Sequence, residues 1–376
     1  MRIGFDAKRA FHNFRGLGNY SRTLIESLVT YYPQHEYYLF TPTIKDDSAK
    51  EWLRRFDQVH VVTPKSFMGK QFGSAWRSLF LSQVIKEYNL DIFHGLSHEL
   101  PPFIADESYK KLVTIHDLIF MRYPEFFPLI DRKVYRRKLN YAVECADLVV
   151  AICEQTKRDL IELLNCPAEK IVVVKQSCNP SFYQLKTQPE IDKIKGSFNL
   201  PDNFILYVGA LEERKNALTL LEAYTKVSSQ IEQDLVLVGR GKNYRGLIEK
   251  MIREHGLESR VHILDHVDNA SLPAIYQQAD LFVFPSLFEG WGVPIVEALF
   301  SEVPVITSQG SCFSESGGPH SLYIDPHDKN ELAQKIVEVL NSSDLCSKMI
   351  REGRAYAEQF HWKNTSNDLM NLFVSD

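Results

Sequence analysis

Two α/β domains, each a doubly wound parallel sheet, are what this sequence predicts. Short, nearly continuous apolar runs such as 204–208, 235–238 and 281–284 read as strands buried on both faces. Stretches with apolar residues at helical spacing lie between such runs, so strand and helix alternate along the chain. A length of 376 residues is more than one ordinary core organises, which makes two domains the natural division.

Composition narrows the class. With 44% apolar and 24% charged residues the chain is of soluble, globular type. A net charge of −5 argues against a general nucleic-acid binder, which is usually basic. No apolar run approaches the roughly 20 residues that span a bilayer. Met1-Arg2-Ile3-Gly4-Phe5 runs directly into a strand, so no signal peptide is expected and the location expected is cytoplasmic. Six cysteines are scattered with no Cys-x-x-Cys pair, and free thiols are expected, buried at Cys145 and Cys153.

In the first half, 3–7 is a strand, 15–19 a glycine-bearing turn and 20–31 a helix carrying Leu24, Leu28 and Val29 on one face. Gly16 and Gly18 thus fall between strand and helix, a phosphate-compatible place, although a lone Gly-x-Gly is weak evidence. The strand 36–40 ends in Thr41-Pro42 with no acidic residue, which counts against a dinucleotide-binding fold. Further strands are expected at 59–62, 91–94, 111–115, 148–152 and 171–174, with helices at 73–88 and 131–146. Phe72, Trp76 and Phe80, spaced i, i+4, i+8, read as a core stripe. His94 and His116 both fall at strand ends, where ligands bind in parallel sheets. Either is structural or site-forming, and Asp117 either orients His116 or shapes the same pocket. The segment 131–140 holds five basic residues, with Arg132 above Arg136 and Lys133 above Arg137. It is either a solvated face or a docking surface for anionic lipid or for a lipid-diphosphate acceptor.

From 179 to 202 apolar periodicity fades and polar residues and prolines take over, as in an interdomain linker. A buried strand then ends at Gly209, and Arg214 and Lys215 lie in the loop before the helix 217–227. Two adjacent cations there suit a diphosphate, the alternative being a surface pair with Glu212 and Glu213. Strands ending at Gly239 and Leu264 follow, then a loop with His266 and Val267, a helix at 271–280, a strand at 303–307 and closing helices at 329–340, 347–360 and 363–373.

The stretch 281–299 joins these parts. An apolar strand stops at Pro285-Ser286, a loop carries Gly290 and Gly292, and Pro294 stands where a helix starts, since its missing N–H costs nothing there. A glycine loop opening a helix is an anion site. Glu289 and Glu297 flank it, and carboxylates repelled by a phosphate accept instead from neutral hydroxyls. A ligand with hydroxyl-rich ends and a phosphate middle fits, as a nucleotide sugar does. Alternatively Glu297 only complements the helix dipole and Glu289 is solvated.

This motif, Glu289-Gly290-Trp291-Gly292-Val293-Pro294-Ile295-Val296-Glu297-Ala298, resembles the signature of retaining glycosyltransferases of family 4, and the likeness runs from the first strand to the last helix. It implies a GT-B fold, two Rossmann-like domains facing across a cleft. Their expected extents are 1–185 and 200–360, with the segment 361–376 completing the first. It also implies hexosyl transfer, mannose favoured, from a nucleotide sugar to a hydroxyl of a glycan or lipid-linked glycan, in cell-surface polysaccharide assembly. By resemblance His116 lies beside the donor sugar, Glu289 contacts its hydroxyls and Glu297 holds the ribose. Arg214 and Lys215 meet the diphosphate, so His116, Glu289, Arg214 and Lys215 form the expected catalytic set. Gly16 and Gly18 face the donor phosphates, and Gly209 and Gly239 the nucleotide. The base lies along His266 and Val267, and Gly290, Trp291, Gly292 and Val293 complete the donor loop. Asn19, His94 and Asp117 are acceptor-side candidates. No metal ligand set and no cofactor is expected. The donor expected is GDP-mannose over a UDP-hexose, and contact with the inner membrane face remains open. After Val174 the chain reads Lys175-Gln176-Ser177-Cys178-Asn179-Pro180, where the family usually has an Asn-Gly turn. Alternative classes are a GT-B-type sugar-nucleotide epimerase, a phosphorylase and a non-catalytic nucleotide-sugar binding module.

Overall fold

A computed structural model describes the chain except residues 14–15, 45–50, 66–75, 78, 106 and 376. It divides into two compact units, Met1–Ser177 with Trp362–Asp376, and Cys178–His361.

The first unit holds a seven-stranded sheet: β1 (Arg2–Asp6), β2 (Glu36–Phe40), β3 (Val59–Val62), β4 (Ile92–Gly95), β5 (Lys110–Ile115), β6 (Leu148–Ala151) and β7 (Ile171–Val173), in the order β3-β2-β1-β4-β5-β6-β7. Every neighbouring pair is parallel. Parallel strands need a crossover between them, and helices covering both faces explain why β4 and β5 bury nearly every side chain. The strand order turns back between β1 and β4, which makes their carboxyl ends the natural ligand crevice of this unit. The helix Trp362–Val374 belongs to this unit; Leu369, Met370 and Phe373 enter the same core as Phe5, Leu28 and Leu112.

The second unit holds β8 (Phe204–Val208), β9 (Asp234–Val238), β10 (Val261–Leu264), β11 (Leu281–Phe284), β12 (Val305–Ser308) and β13 (Leu322–Ile324), again all parallel, in the order β10-β9-β8-β11-β12-β13. Here the order turns back between β8 and β11.

Several expectations change. The stretch expected as a linker is folded: Gln188–Phe198 is a helix whose Thr187 and Glu190 form a reciprocal cap. Lys186 N donates to Gln277 Oε1 at 2.7 Å, tying it to the second unit. Gly16 and Gly18 are not in a turn, because the helix Gly16–Tyr31 already begins at Gly16. The aromatic stripe fails as a stripe. Phe80 stands one helical turn beyond Trp76, its N donating to the Trp76 carbonyl at 2.9 Å, but Trp76 is buried while Phe80 is half exposed, and Phe72 lies outside the described residues. Cys153 is buried as expected, while Cys145 is only partly so, and all six thiols are free.

Candidate active site

The crevice at the carboxyl ends of β8 and β11 gathers charge. After β8 the chain turns at Gly209, and Glu213–Lys215 forms one 3-10 turn. Asn216 closes that turn in the left-handed region, a conformation asparagine tolerates. Its amide donates to the carbonyls of Pro285 and Pro326, at 3.0 and 2.7 Å, and so fastens the loop to the end of β11.

Held this way, Lys215 Nζ donates to Glu289 Oε1 at 2.5 Å, and Arg214 Nη1 lies 3.1 Å from the same oxygen. Ser286, with no exposed surface, donates its hydroxyl to Oε1 at 2.7 Å. Arg214 also donates to the Phe288 carbonyl at 2.7 Å and to Glu212 at 2.9 Å, so the surface pair weighed from sequence exists beside the inner one. Burial pushes the Glu289 carboxyl up, but Lys215, then Arg214, outweigh it and hold it below the usual range. Oε1 is saturated by three donors, while Oε2 takes no hydrogen bond from any described residue. That leaves one carboxylate oxygen for a ligand hydroxyl.

The loop beyond Glu289 is anchored by Ser311, whose hydroxyl donates to the Glu289 carbonyl at 3.0 Å. Gly292 has φ +89°, which a side chain would strain, and Val293–Phe300 is the helix that follows, with Pro294 in its first turn. Trp291 is buried with its ring 5.1 Å from Phe360, edge to face, so its indole serves packing. Glu297 is apart from the cationic cluster: its partner is the Tyr276 hydroxyl, which donates to Oε2 at 3.0 Å. Burial pushes this carboxyl up to about 8, against the pull of that hydrogen bond.

Gly239 is explained by packing. A Cβ there would stand 1.8 Å from the Gly209 carbonyl oxygen, so the two strand ends approach only without one. His266 is exposed and takes a hydrogen bond on Nδ1 from Arg240, with Val267 next to it half-buried.

In the first unit, His116 is buried at the end of β5. Its Nε2 lies 2.9 Å from the Leu96 carbonyl, which only accepts, so Nε2 carries the hydrogen. Burial lowers its pKa to about 3, so the ring is neutral and Nδ1 is an acceptor. Tyr20 stands edge-on at 4.5 Å, and the His98 ring lies 5.3 Å away. His94 has no exposed surface, and its Nε2 bonds Thr114 Oγ1 at 2.8 Å. The structural one of its two readings is therefore what the geometry supports. Asp117 Oδ1 accepts from Ile119 N at 3.1 Å, forming the turn that starts the next short helix. Asn19 Oδ1 is taken by Arg22 at 2.6 Å. Gly18 is buried where a Cβ would meet the Asn13 carbonyl at 1.6 Å, while Gly16 faces open space.

Sequence reading missed Ser286, Asn216, Tyr276 and His98. Ser286 and Asn216 stand in view beside the motif and the cation pair, but only the fold shows that they bind them. Among the described residues no group of three His, Cys, Asp or Glu could hold a metal.

Two doubly wound parallel sheets give the chain the GT-B fold of glycosyltransferases, and one of them carries a cation pair and an acidic loop at its switch point. The chain belongs to family 4 of these enzymes: residues 14–181 match the profile "Glycosyltransferase Family 4" and residues 189–356 match "Glycosyl transferases group 1". It is 26% identical to O-antigen chain mannosyltransferase B of Escherichia coli, over 99% of both chains. It is also 26% identical to the serotype-specific mannosyltransferase WbdA of Escherichia coli, over 73% of this chain but only 34% of that longer protein. In fold it is similar to Anabaena HepE, solved with UDP and glucose, with TM-score 0.77 and 21% identity over 99% of each chain.

Proposed function

We propose that this glycosyltransferase moves a hexose, mannose favoured, from a nucleotide sugar to a hydroxyl of a glycan or lipid-linked glycan, in the assembly of a cell-surface polysaccharide such as an O-antigen. The observation that carries the reading is the convergence of Lys215 and Arg214 on one oxygen of Glu289, with the other oxygen left for a ligand. In the reaction the bond from the anomeric carbon to the diphosphate breaks, a bond to the acceptor oxygen forms, and the hydroxyl proton departs. Negative charge grows on the leaving diphosphate, and Lys215 and Arg214 are the fixed cations available to meet it. Glu289 Oε2 accepts from a sugar hydroxyl, and Glu297 from the ribose. His116, neutral, offers the sugar an acceptor nitrogen rather than a proton. Retention of configuration and a metal-free reaction belong to the same proposal.

The mannosyl assignment is supported by the Escherichia coli relative, and nucleotide-sugar use by the UDP and glucose in the HepE structure. The test is transfer from radiolabelled GDP-mannose, UDP-glucose and UDP-galactose to a lipid-extracted acceptor, with and without EDTA. Labelled product from GDP-mannose that survives EDTA is expected. Label appearing only from a UDP-hexose overturns the sugar; free nucleotide with no acceptor product, or no thermal shift with GDP or UDP, overturns the transferase.

A further inference from the structure

We propose that His98 holds a neutral hydroxyl of the acceptor glycan, at the switch point of the first unit's sheet. This deepens the proposed function and rests on that reading only for the identity of the ligand.

His98 lies in the loop between β4 and β5. A Cβ at Gly95 would stand 2.2 Å from the Glu99 carbonyl oxygen, so the chain folds tightly back over the end of β4. His98 N donates to the Thr114 carbonyl at 2.9 Å, which fastens the loop to β5. Between these two ties His98 has φ +62°, in the left-handed region that few residues with a side chain enter. Glycine would take that conformation at less cost, so the imidazole stands there against local preference. Such a residue, over-determined by its surroundings, is typical of a functional position.

The ring lies 5.3 Å from that of His116 and stays partly exposed. Its nitrogens form no hydrogen bond with any described residue. Burial lowers its pKa to about 4, with Glu99 pulling it up and Arg9 pushing it down. A neutral imidazole offers one N–H and one lone pair. Packing against His116 would need neither, and an apolar ring would serve it.

The charges of this crevice select the ligand. Asp6, in register with Gly95 across the two strand ends, and Glu99 are both held by Arg77. Arg77 Nε donates to Asp6 Oδ2 at 2.7 Å and Nη1 to Glu99 Oε2, while Lys138 reaches Glu99 Oε1 at 3.2 Å. With both carboxylates so engaged, neither is left to make His98 a cation. A phosphate or carboxylate only accepts, and would leave the imidazole lone pair unmatched. A polyol, whose hydroxyls each donate and accept, matches either nitrogen.

Position separates this hydroxyl from those of the donor. The proposed function gives the donor sugar to Nδ1 of His116. Reacting atoms must approach to roughly 3–3.5 Å, and two imidazoles 5.3 Å apart can each hold one member of such a pair. His98 is therefore a positioning residue for the acceptor.

The test is transfer from radiolabelled GDP-mannose to lipid-extracted acceptor by the full chain and three variants. His98→Gly relieves the left-handed backbone and removes the ring, so its thermal midpoint should equal or exceed that of the wild type. Its KM for acceptor should rise about five- to tenfold, with KM for GDP-mannose and the GDP-induced thermal shift unchanged. His98→Asn, which tolerates the conformation and restores a donor and an acceptor, should recover most of the loss. His98→Phe, which keeps only the packing, should not. A rise in donor KM instead, Asn no better than Gly, or Phe equal to the wild type would each overturn the proposal. A second readout needs no turnover. In protein with isotope-labelled histidine and no donor, mannobiose should shift the imidazole resonance that His98→Gly lacks, and an unmoved resonance overturns the proposal. Wild-type protein that transfers nothing defeats the proposed function and leaves this shift to be read on its own.

Discussion

Lys215 and Glu289 are joined at 2.5 Å across the ends of β8 and β11, each less than one-fifth exposed at its side chain. The link matters because removing Glu289 leaves Lys215 and Arg214 repelling each other in a poorly solvated place, while removing Lys215 leaves Glu289 with Arg214 as its one cation. Lys215→Ala and Glu289→Ala should each abolish transfer and each cost about 3–5 kcal/mol in a urea melt. The double variant should lose less than the sum, since no charge is then left alone. Additive losses would mean the pair is not coupled. Circular dichroism should show both single variants folded.

Ser286 supplies a third donor to the same oxygen. Ser286→Ala should cost about 1–3 kcal/mol and raise the Glu289 pKa by removing a bond to its charged form. Because this carboxyl is held below its usual range, the stability it contributes is present at neutral pH and lost as pH falls through the folded value. The acid limb of the turnover profile should therefore move to higher pH in the variant. An unmoved acid limb would place Ser286 outside the control of Glu289.

Glu297 has the opposite sign. With the folded pKa raised to about 8, the folded state holds a proton that the unfolded state releases near the ordinary carboxylate value. The stabilisation is full below that ordinary value and fades as pH rises through about 8. Glu297→Gln should flatten the fall, which amounts at most to about 1.4 kcal/mol per pH unit. Denaturant midpoints of the ligand-free protein across this range measure it, and parallel curves for the two proteins would refute it.

Gly239→Ala places a Cβ against the Gly209 carbonyl. The clash is with backbone, which has little room to move, so a loss of about 1–3 kcal/mol is expected, together with weaker nucleotide binding as the Gly209 turn shifts. A thermal midpoint equal to the wild type would show that the turn can yield.

Much of the fold was legible in the chain. The runs 36–40, 59–62, 261–264 and 281–284 form strands with the expected bounds; at 281–284 the reason is burial on both faces, which leaves a continuous apolar run. Helices 217–227 and 329–340 likewise match, each carrying a strong apolar face. The helix 188–198 was hidden because its apolar residues, Ile191, Ile194 and Phe198, are few, only partly buried and set among polar residues and a proline. β13 was hidden by its three-residue length.

The site was legible in its charged members and not in their support. Arg214, Lys215 and Glu289 announce themselves as unusual charges at strand ends, whereas Ser286 and Asn216 are ordinary turn residues in any sequence. Distance in the chain separates them: Asn216 reaches carbonyls of Pro285 and Pro326, a relation that no local pattern encodes.

By itself the sequence determined two parallel α/β units and the residue types at the carboxyl ends of their strands, because periodicity and turn chemistry are local properties. Only the tertiary structure decided that Lys215, Arg214 and Ser286 crowd one oxygen of Glu289, that Glu297 stands with Tyr276, and that His94 has no exposed surface. Those facts depend on which strands become neighbours, and β8 lies beside β11 only once the sheet is assembled.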